Sequence, residues 1–248
     1  MAVATLCNFS MLPAFFDQMT ANTVPVQRNN ATAMTGAIPA IIGVMGTTVM
    51  DPKIRLEALQ FVYNMTTKHS GSWENCVNSG AIEALGKLLK NESTADGKEP
   101  VIYRIGRIVK ELCTAATTED LVKKMLADGV NSLILKLAKV ELHNLKFDLA
   151  CAIYALSRSP DPLRVLQADG VDILYWLTLH DCLGHNTPIR RNISRALRNF
   201  TACGESGAGA INLAKEERAV TVMKALQNSE NEDVQWQVSG SLYNMLQV

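Results

Sequence analysis

The chain carries one sequence pattern five times, and this repetition restricts its possible folds more than any other feature. Each copy consists of a glycine, a small or apolar residue and a stretch rich in leucine and isoleucine. The copies begin at Gly36, Gly80, Gly129 and Gly170, with a degenerate last copy at Glu217. These positions are 44, 49, 41 and 47 residues apart, close to the period of about 40 to 47 residues in some helical repeat arrays. The pattern therefore predicts a stack of similar helical modules.

A second pattern follows each glycine segment and predicts a longer helix. It is centred on an asparagine or its equivalent, with apolar residues six positions before, two positions before and one position after it. Around Asn64 these residues are Ala58, Val62 and Met65, a spacing that places them on one face of a helix. The pattern recurs in residues 105–113, 149–157, 193–201 and 238–246, with a truncated copy in 4–10. Helix starts are indicated by the dipeptides Asp51-Pro52, Glu99-Pro100 and Thr187-Pro188.

Together the two patterns, Gly-(Ala/Val)-Ile-x-x-Leu and (Ala/Ile)-x-x-x-(Leu/Val)-x-Asn-(Leu/Met/Phe), resemble the armadillo repeat family. The resemblance covers nearly all of the chain and implies an all-α, armadillo-type α-α superhelix (solenoid). We expect about five repeats plus a partial N-terminal repeat, in a single domain over residues 1–248. Residues 1–33 would form the partial repeat and a connector, and the repeats would start near residues 34, 78, 127, 168 and 215.

The resemblance also implies a binding groove. In the family, the third helices line a concave surface, where an asparagine near the end of each helix hydrogen-bonds the backbone of an extended peptide. That position here reads Asn8, Asn64, Glu111, Ala155, Asn199, Asn244, and the position four residues earlier reads Ala4, Gln60, Arg107, Cys151, Arg195, Gly240. The asparagine series is thus interrupted in the middle repeats. The tryptophans with which nuclear-import adaptors of the family hold Lys and Arg stems are also missing.

Cations and aromatic residues flank the same positions and indicate a partner with carboxylate or amide groups. We predict that the groove binds one or more proteins, each through an extended or helical segment, by way of Gln60, Asn64, Arg104, Arg107, Glu111, Cys151, Arg191, Arg195, Asn199, Trp236 and Asn244. Further contributions are expected from Lys110, Arg198, Tyr63, Tyr154 and Tyr243. Each residue type also has a structural alternative. The arginines could be solvated or paired, the asparagines could link repeats or cap helices, and the aromatic rings could lie in the core.

The resemblance, together with the lack of catalytic and metal-binding motifs in the sequence, implies a non-enzymatic scaffold or adaptor without a cofactor or metal. Lys and Arg (24) balance Asp and Glu (24), so the chain lacks the excess positive charge expected of a general nucleic-acid binder. The run His180–His185 has possible zinc ligands but no second cluster, and a zinc hydrolase is a distant alternative. The glycine-rich residues 203–210 lack the spacing of a phosphate-binding loop and are interpreted as a flexible inter-repeat loop.

The N-terminal part leaves two interpretations open. The uncharged segment Ala31–Met50 contains proline and glycines and is interpreted as a buried helix of a soluble, cytoplasmic protein, with no membrane insertion. Residues 10–33 are interpreted as a short helix plus a mobile connector, or as a flap over the groove.

The alternative function is a membrane-peripheral, organelle-tethering adaptor, similar to the armadillo-only adaptors of apicomplexan parasites, whose acylated N-terminus this chain lacks. The missing polar cap helices indicate a fragment or a homo-dimer formed through an uncapped end.

Overall fold

The computed structural model describes residues 24–28, 31–35, 37–47, 51–68, 72–92, 99–181 and 187–247. The chain divides between Ala115 and Ala116 into two compact units. The first unit contains β1 (Val24–Arg28), β2 (Ala31–Thr35), α1 (Ala37–Gly46), α2 (Pro52–Lys68), α3 (Trp73–Asn78), α4 (Ala81–Glu92) and α5 (Glu99–Ala115). The second contains α6 (Glu119–Ala127), α7 (Val130–Ala138), α8 (His143–Ser157), α9 (Pro162–Val165), α10 (Val171–Asp181), α11 (Thr187–Ala202), α12 (Ala208–Ala214), α13 (Glu217–Gln227) and α14 (Glu232–Leu246).

The first unit is built by stacking two helical modules. The longer helices α2 and α5 pack on each other, and the shorter helices α1 and α4 form a second contact layer. The predicted apolar face of α2 is buried, with Ala58, Val62 and Met65 fully shielded from solvent. The helical period therefore placed the core of this unit correctly.

In the second unit the same packing extends over three modules. The third helices α8, α11 and α14 contact one another in sequence, and the second helices α7, α10 and α13 form a parallel row. Leu149, Ile193 and Val238 occupy equivalent positions in these third helices and are buried. The prediction of repeated helical modules is confirmed.

The signature glycines end the first helix of a module and allow the second to begin. Gly80 and Gly129 have φ angles of 83° and 88°, in the left-handed region that glycine adopts without steric cost. In the next module the left-handed residue is Asp169, with φ 68°, and Gly170 follows it. A side chain on Gly170 would approach the carbonyl oxygen of Val165 within 2.9 Å, so glycine is required there for close packing.

One sequence prediction is wrong at the start of the described region. Residues Ala31–Thr35 are not helical but form β2, which pairs antiparallel with β1, with Val24 opposite Thr35 and Arg28 opposite Ala31. The helix expected over Ala31–Met50 is limited to Ala37–Gly46. Two asparagines separate the strands in the sequence, and asparagine is typical of two-residue hairpin turns. The rest of the expected connector, residues 10–23, lies outside the described residues.

The glycine-rich residues 203–210 also differ from the expected flexible loop. They form a short 3₁₀ turn, Glu205–Gly207, and the start of α12. A Cβ on Gly209 would overlap the carbonyl oxygen of Phe200, and the Gly209 amide donates to the carbonyl of Cys203 over 3.0 Å. Glycine is therefore needed here because two helices approach closely.

Candidate functional site

In the first unit, the predicted groove residues of α2 are largely withdrawn from the surface. Asn64 is only 3% exposed, and the side-chain amide of Gln60 donates to its Oδ1 over 2.8 Å. The two residues lie one turn apart on the same helix. Asn64 consequently presents almost no surface to a ligand, whereas Gln60 is partly exposed.

Charged side chains of the first unit pair with one another within α5. Glu111 pairs with Arg107, 3.5 Å from its Nε, and with Lys110, 3.3 Å from its Nζ. Arg104 is partly exposed on the same helix. A shallow cavity of about 300 Å³ adjoins Glu111 and is lined by Trp73 and the threonines Thr66, Thr67 and Thr114. Arg107 and Lys110 therefore share one carboxylate beside a polar cavity.

In the second unit, two predicted asparagines link neighbouring repeats. Asn199 Nδ2 lies 2.9 Å from Ser157 Oγ, and Asn244 Nδ2 lies 3.2 Å from Thr201 Oγ1. The two hydroxyls occupy equivalent positions in successive third helices. The structural alternative considered for these asparagines, a hydrogen bond between repeats, is thus present.

These bonds fix the orientation of both amides. Ser157 donates its hydroxyl proton to the Tyr154 carbonyl over 2.7 Å, and Thr201 donates to the Arg198 carbonyl over 2.9 Å. A hydroxyl has one proton, so each can only accept from the asparagine. The amide nitrogen is therefore turned inward, and the Oδ1 atoms of Asn199 and Asn244 accept no hydrogen bond from the described part of the chain.

A carboxylate that the repeat pattern did not predict organises the arginines of α11. Asp233 Oδ2 lies 2.8 Å from Arg195 Nη2 and 3.6 Å from Arg191 Nε. Gln237 donates to the other carboxylate oxygen over 3.3 Å. Two guanidinium groups thus share one carboxylate, which leaves excess positive charge on this face. The signal in the sequence was an acidic first turn in the next third helix.

Arg198 is held in a different way. Its guanidinium lies over the ring of Trp236, 5.5 Å from the centroid, as in a cation–π contact. A Cβ on Gly240 would overlap this guanidinium, so the glycine provides the space that it occupies. Within the described residues Arg198 has no ion pair or side-chain hydrogen bond.

Two of the predicted aromatic residues are exposed on α14. Trp236 is 64% exposed and Tyr243 is 62% exposed, which excludes the core alternative for both. The positions 236, 240 and 243 follow the spacing of one helical face. The second unit therefore combines surface arginines with surface aromatic rings.

The cysteines in the described ranges give no sign of nucleophilic chemistry. Cys151 is partly buried, and Asn192 Nδ2 lies 3.2 Å from its sulfur. Burial raises the pKa of the Cys76 thiol to about 12 and the pKa of Cys113 still further, which keeps both thiols protonated at neutral pH. Within the described ranges no three His, Cys, Asp or Glu side chains cluster as metal ligands would. The side chains of His180–His185 lie outside those ranges.

A second, acidic surface feature lies on the first and second helices of the second unit. A cavity of about 580 Å³ is lined by Asp169, Asp172, Glu216, Glu217 and Arg218, among others. Arg218 forms an ion pair with Asp172 and stacks on Tyr175 with a distance of 5.5 Å to the ring centroid. The arginines of the second unit therefore face different environments on its two helix layers.

No helix in the described ranges combines the length and apolar character needed to cross a membrane. No family model and no curated protein matches the chain.

Solved structures are similar to the chain over nearly its whole length. A computationally designed armadillo repeat protein for modular peptide recognition has a TM-score of 0.70 and 16% identity, covering 98% of this chain and 91% of its own. A designed armadillo repeat protein in complex with the peptide (KR)4 has a TM-score of 0.67 and 16% identity, with the same coverage. Another designed armadillo repeat protein has a TM-score of 0.67 and 17% identity, covering 98% of this chain and 92% of its own. The fold of this chain is therefore the all-α, armadillo-type repeat fold that its sequence pattern predicted.

Proposed function

We propose that this protein is a non-enzymatic scaffold that binds an acidic, extended segment of another protein on the third helices of its second unit. The observation that carries the proposal is the imbalance on that face. Arg191 and Arg195 share the single carboxylate of Asp233, and Arg198 contacts the Trp236 ring with no ion pair among the described residues. A partner that supplies further carboxylates would satisfy the remaining charge through bidentate hydrogen bonds.

The fixed asparagines add a preference for the backbone of the partner. The outward Oδ1 atoms of Asn199 and Asn244 can accept hydrogen bonds from main-chain N–H groups. An extended segment exposes such groups at regular intervals, whereas a helix uses most of them internally. The arrangement therefore favours an extended partner.

The charge also separates this protein from one of its structural neighbours. That designed protein is in complex with (KR)4, a peptide of positive residues only. The third helix α11 of this chain carries four arginines instead, two of which pair with Asp233 of α14. We therefore expect the opposite selectivity, with acidic peptides bound in preference to basic ones.

The predicted groove residues of the first unit would form a secondary binding surface. Gln60, Arg104, Arg107 and Glu111 are partly exposed, but Glu111 already pairs with Arg107 and Lys110 on α5. Contacts there would contribute less to an acidic partner. Asn64 and Cys151 are expected to act through packing of the helices that bear the surface.

The proposal is tested with three labelled peptides, (DE)4, (NQ)4 and (KR)4, titrated into the full chain and followed by fluorescence anisotropy. We expect (DE)4 to bind most tightly and (KR)4 most weakly. The double variant Arg191→Glu/Arg195→Glu should reverse this order. Arg164→Glu is the matched control, because this exposed residue lies outside the third helices. Equal affinities for all three peptides, or a preference for (KR)4 in the wild type, would reject the proposal.

The membrane-peripheral tether, the cytoplasmic location and the homo-dimer stay predictions. A tether requires a lipid anchor, and residues 1–23, where one would be expected, lie outside the described residues. Cofractionation of the full-length gene product with membranes would support the tether. Light scattering on the purified protein would test the dimer.

A further inference from the structure

We infer that Arg198, Trp236 and Gly240 form the anchor of the proposed surface and bind a carboxylate that has an aromatic residue close to it in sequence. This inference rests on the proposed function and specifies the chemistry of the partner. The three residues come from two adjacent repeats, since Arg198 lies on α11 and the other two lie on α14. The anchor therefore exists only when these repeats are stacked.

Arg198 is oriented in advance for carboxylate binding. Its guanidinium lies over the indole ring of Trp236, 5.5 Å from the centroid, and a guanidinium carries its N–H groups along the edges of its plane, where a carboxylate can bind. Arg191 and Arg195 already pair with Asp233, whereas Arg198 has no such acceptor among the described residues. It is therefore the guanidinium of α11 best prepared to form a bidentate pair with an incoming carboxylate.

Gly240 makes this orientation possible. Glycine is unfavourable in the interior of a helix, yet α14 has one well inside its length, at a position where Gln60, Arg107, Cys151 and Arg195 stand in the other repeats. Any side chain at this position would overlap the Arg198 guanidinium. The glycine thus opposes helix stability locally and provides the place where the arginine lies.

The exposed rings specify the rest of the partner. Trp236 and Tyr243 flank Gly240 on the exposed side of α14 and have 64% and 62% of their surface accessible. Seven residues separate them, or about 10 Å along the helix axis. About three residues of an extended chain cover that length. We therefore expect a partner segment in which one or two acidic residues are flanked by aromatic side chains.

The test uses three labelled peptides that differ in one property each, namely GGYEEYGG, its uncharged counterpart GGYQQYGG and its counterpart without rings, GGAEEAGG. Wild-type protein should prefer GGYEEYGG to both. Arg198→Ala and Gly240→Ala should each weaken the binding of GGYEEYGG about tenfold. Arg198→Lys should weaken it about threefold, because an ammonium group cannot lie flat on an aromatic ring or form a bidentate pair with a carboxylate as a guanidinium does. Arg164→Ala removes the same charge elsewhere and should leave binding unchanged. Gly240→Ala favours the helix, so circular dichroism should show an intact fold.

The outcomes separate the anchor from the general proposal. Should Arg198→Ala and Gly240→Ala bind GGYEEYGG like the wild type while Arg191→Glu/Arg195→Glu loses (DE)4, the anchor is rejected and the acidic-segment scaffold stands. Equal binding of GGYEEYGG and GGAEEAGG by the wild type would reject the aromatic requirement. If the wild type binds no acidic peptide in either set, the anchor and the proposed function fall together.

Discussion

The third helices of the two units carry similar cations, but the groups that contact these cations come from different places. In the first unit, Arg107 and Lys110 pair with Glu111 on the same helix. In the second, Arg191 and Arg195 on α11 pair with Asp233 on α14, and Arg198 stacks on Trp236 of the same partner helix. The ion pairs of one face form within a helix, and those of the other form across a repeat boundary.

The ion pairs of the first unit depend on one helix alone, whereas those of the second unit depend on the stacking of two repeats. An ion pair four residues apart can form in an isolated helix and contributes about 0.3–0.5 kcal/mol. A contact between α11 and α14 forms only after the repeats have stacked, so it orders the side chains of the surface together with the stack. Preorganised side chains lose less entropy when a ligand binds. We therefore expect the second unit to bind a ligand more strongly than the first.

The largest expected effect comes from removing the core beneath that surface. Leu197 is fully buried in α11, and Leu197→Ala should lower the free energy of unfolding by about 2–5 kcal/mol through cavity formation. Hydrogen exchange should show loss of protection in α8 and α14, because these helices pack on α11. Leu246→Ala is the control, since Leu246 is 82% exposed. Unchanged protection in α8 and α14 would contradict cooperative stacking.

A glycine in each unit gives the next comparison. Gly209→Ala in the second unit should destabilise by about 1–3 kcal/mol, because its Cβ would overlap the Phe200 carbonyl. Gly86→Ala in α4 should stabilise by about 0.5–1 kcal/mol, because no atom lies within 4 Å of the added methyl group. Urea unfolding of both variants measures the two effects. Changes of the same sign would show that close packing does not explain the glycine-rich run.

These examples show which features the sequence could predict. The second helices begin where the glycine signature predicts, and the period of apolar residues identified buried faces around Val62 and Leu197. Both depend on contacts within one module, which a repeated pattern records. The strands β1 and β2 were missed because ten residues of weak alternation lie beside an apolar run that is compatible with a helix.

The surface could be predicted only in part, because it depends on how neighbouring helices are rotated. The alignment placed Arg195, Asn199 and Trp236 in the candidate groove, and the roles of these residues in binding stay predictions. It did not predict that Asp233 would reach the arginines of the previous repeat. The sequence did contain a signal for the hydrogen bonds that Asn199 and Asn244 form between repeats. The hydroxyls of Ser157 and Thr201 stand two residues after the aligned position in the preceding repeat.

A pH effect of about 1 kcal/mol is expected from a buried lysine in the second unit. Lys146 donates to the carbonyls of Ala138 and Val140 at the end of α7. Burial lowers its pKa from 10.5 to about 8, partly opposed by the charge of Glu141. The unfolded chain therefore binds more protons above pH 8, and stability should rise with pH towards 10.5. Between pH 7 and pH 9 the gain should be about 1 kcal/mol.

Urea unfolding of the wild type and of Lys146→Met at both pH values measures this contribution. The methionine variant removes the titrating group and keeps a long side chain. The difference between the two proteins isolates Lys146 from other groups that titrate in this range. A wild-type stability that falls relative to the variant as the pH rises would contradict the assignment.

The smallest change in stability should accompany the most informative change in binding. Asp233→Asn breaks two partly exposed pairs and should cost only about 0.5–1 kcal/mol. The matched change Glu111→Gln in the first unit should cost about 0.3–0.5 kcal/mol.

However, Asp233→Asn also removes a carboxylate that competes with an acidic ligand for Arg191 and Arg195. Binding of (DE)4 should therefore become tighter although the protein is less stable. A loss of (DE)4 affinity would instead show that Asp233 is needed to hold the arginines in position, and that order within the surface outweighs its net charge.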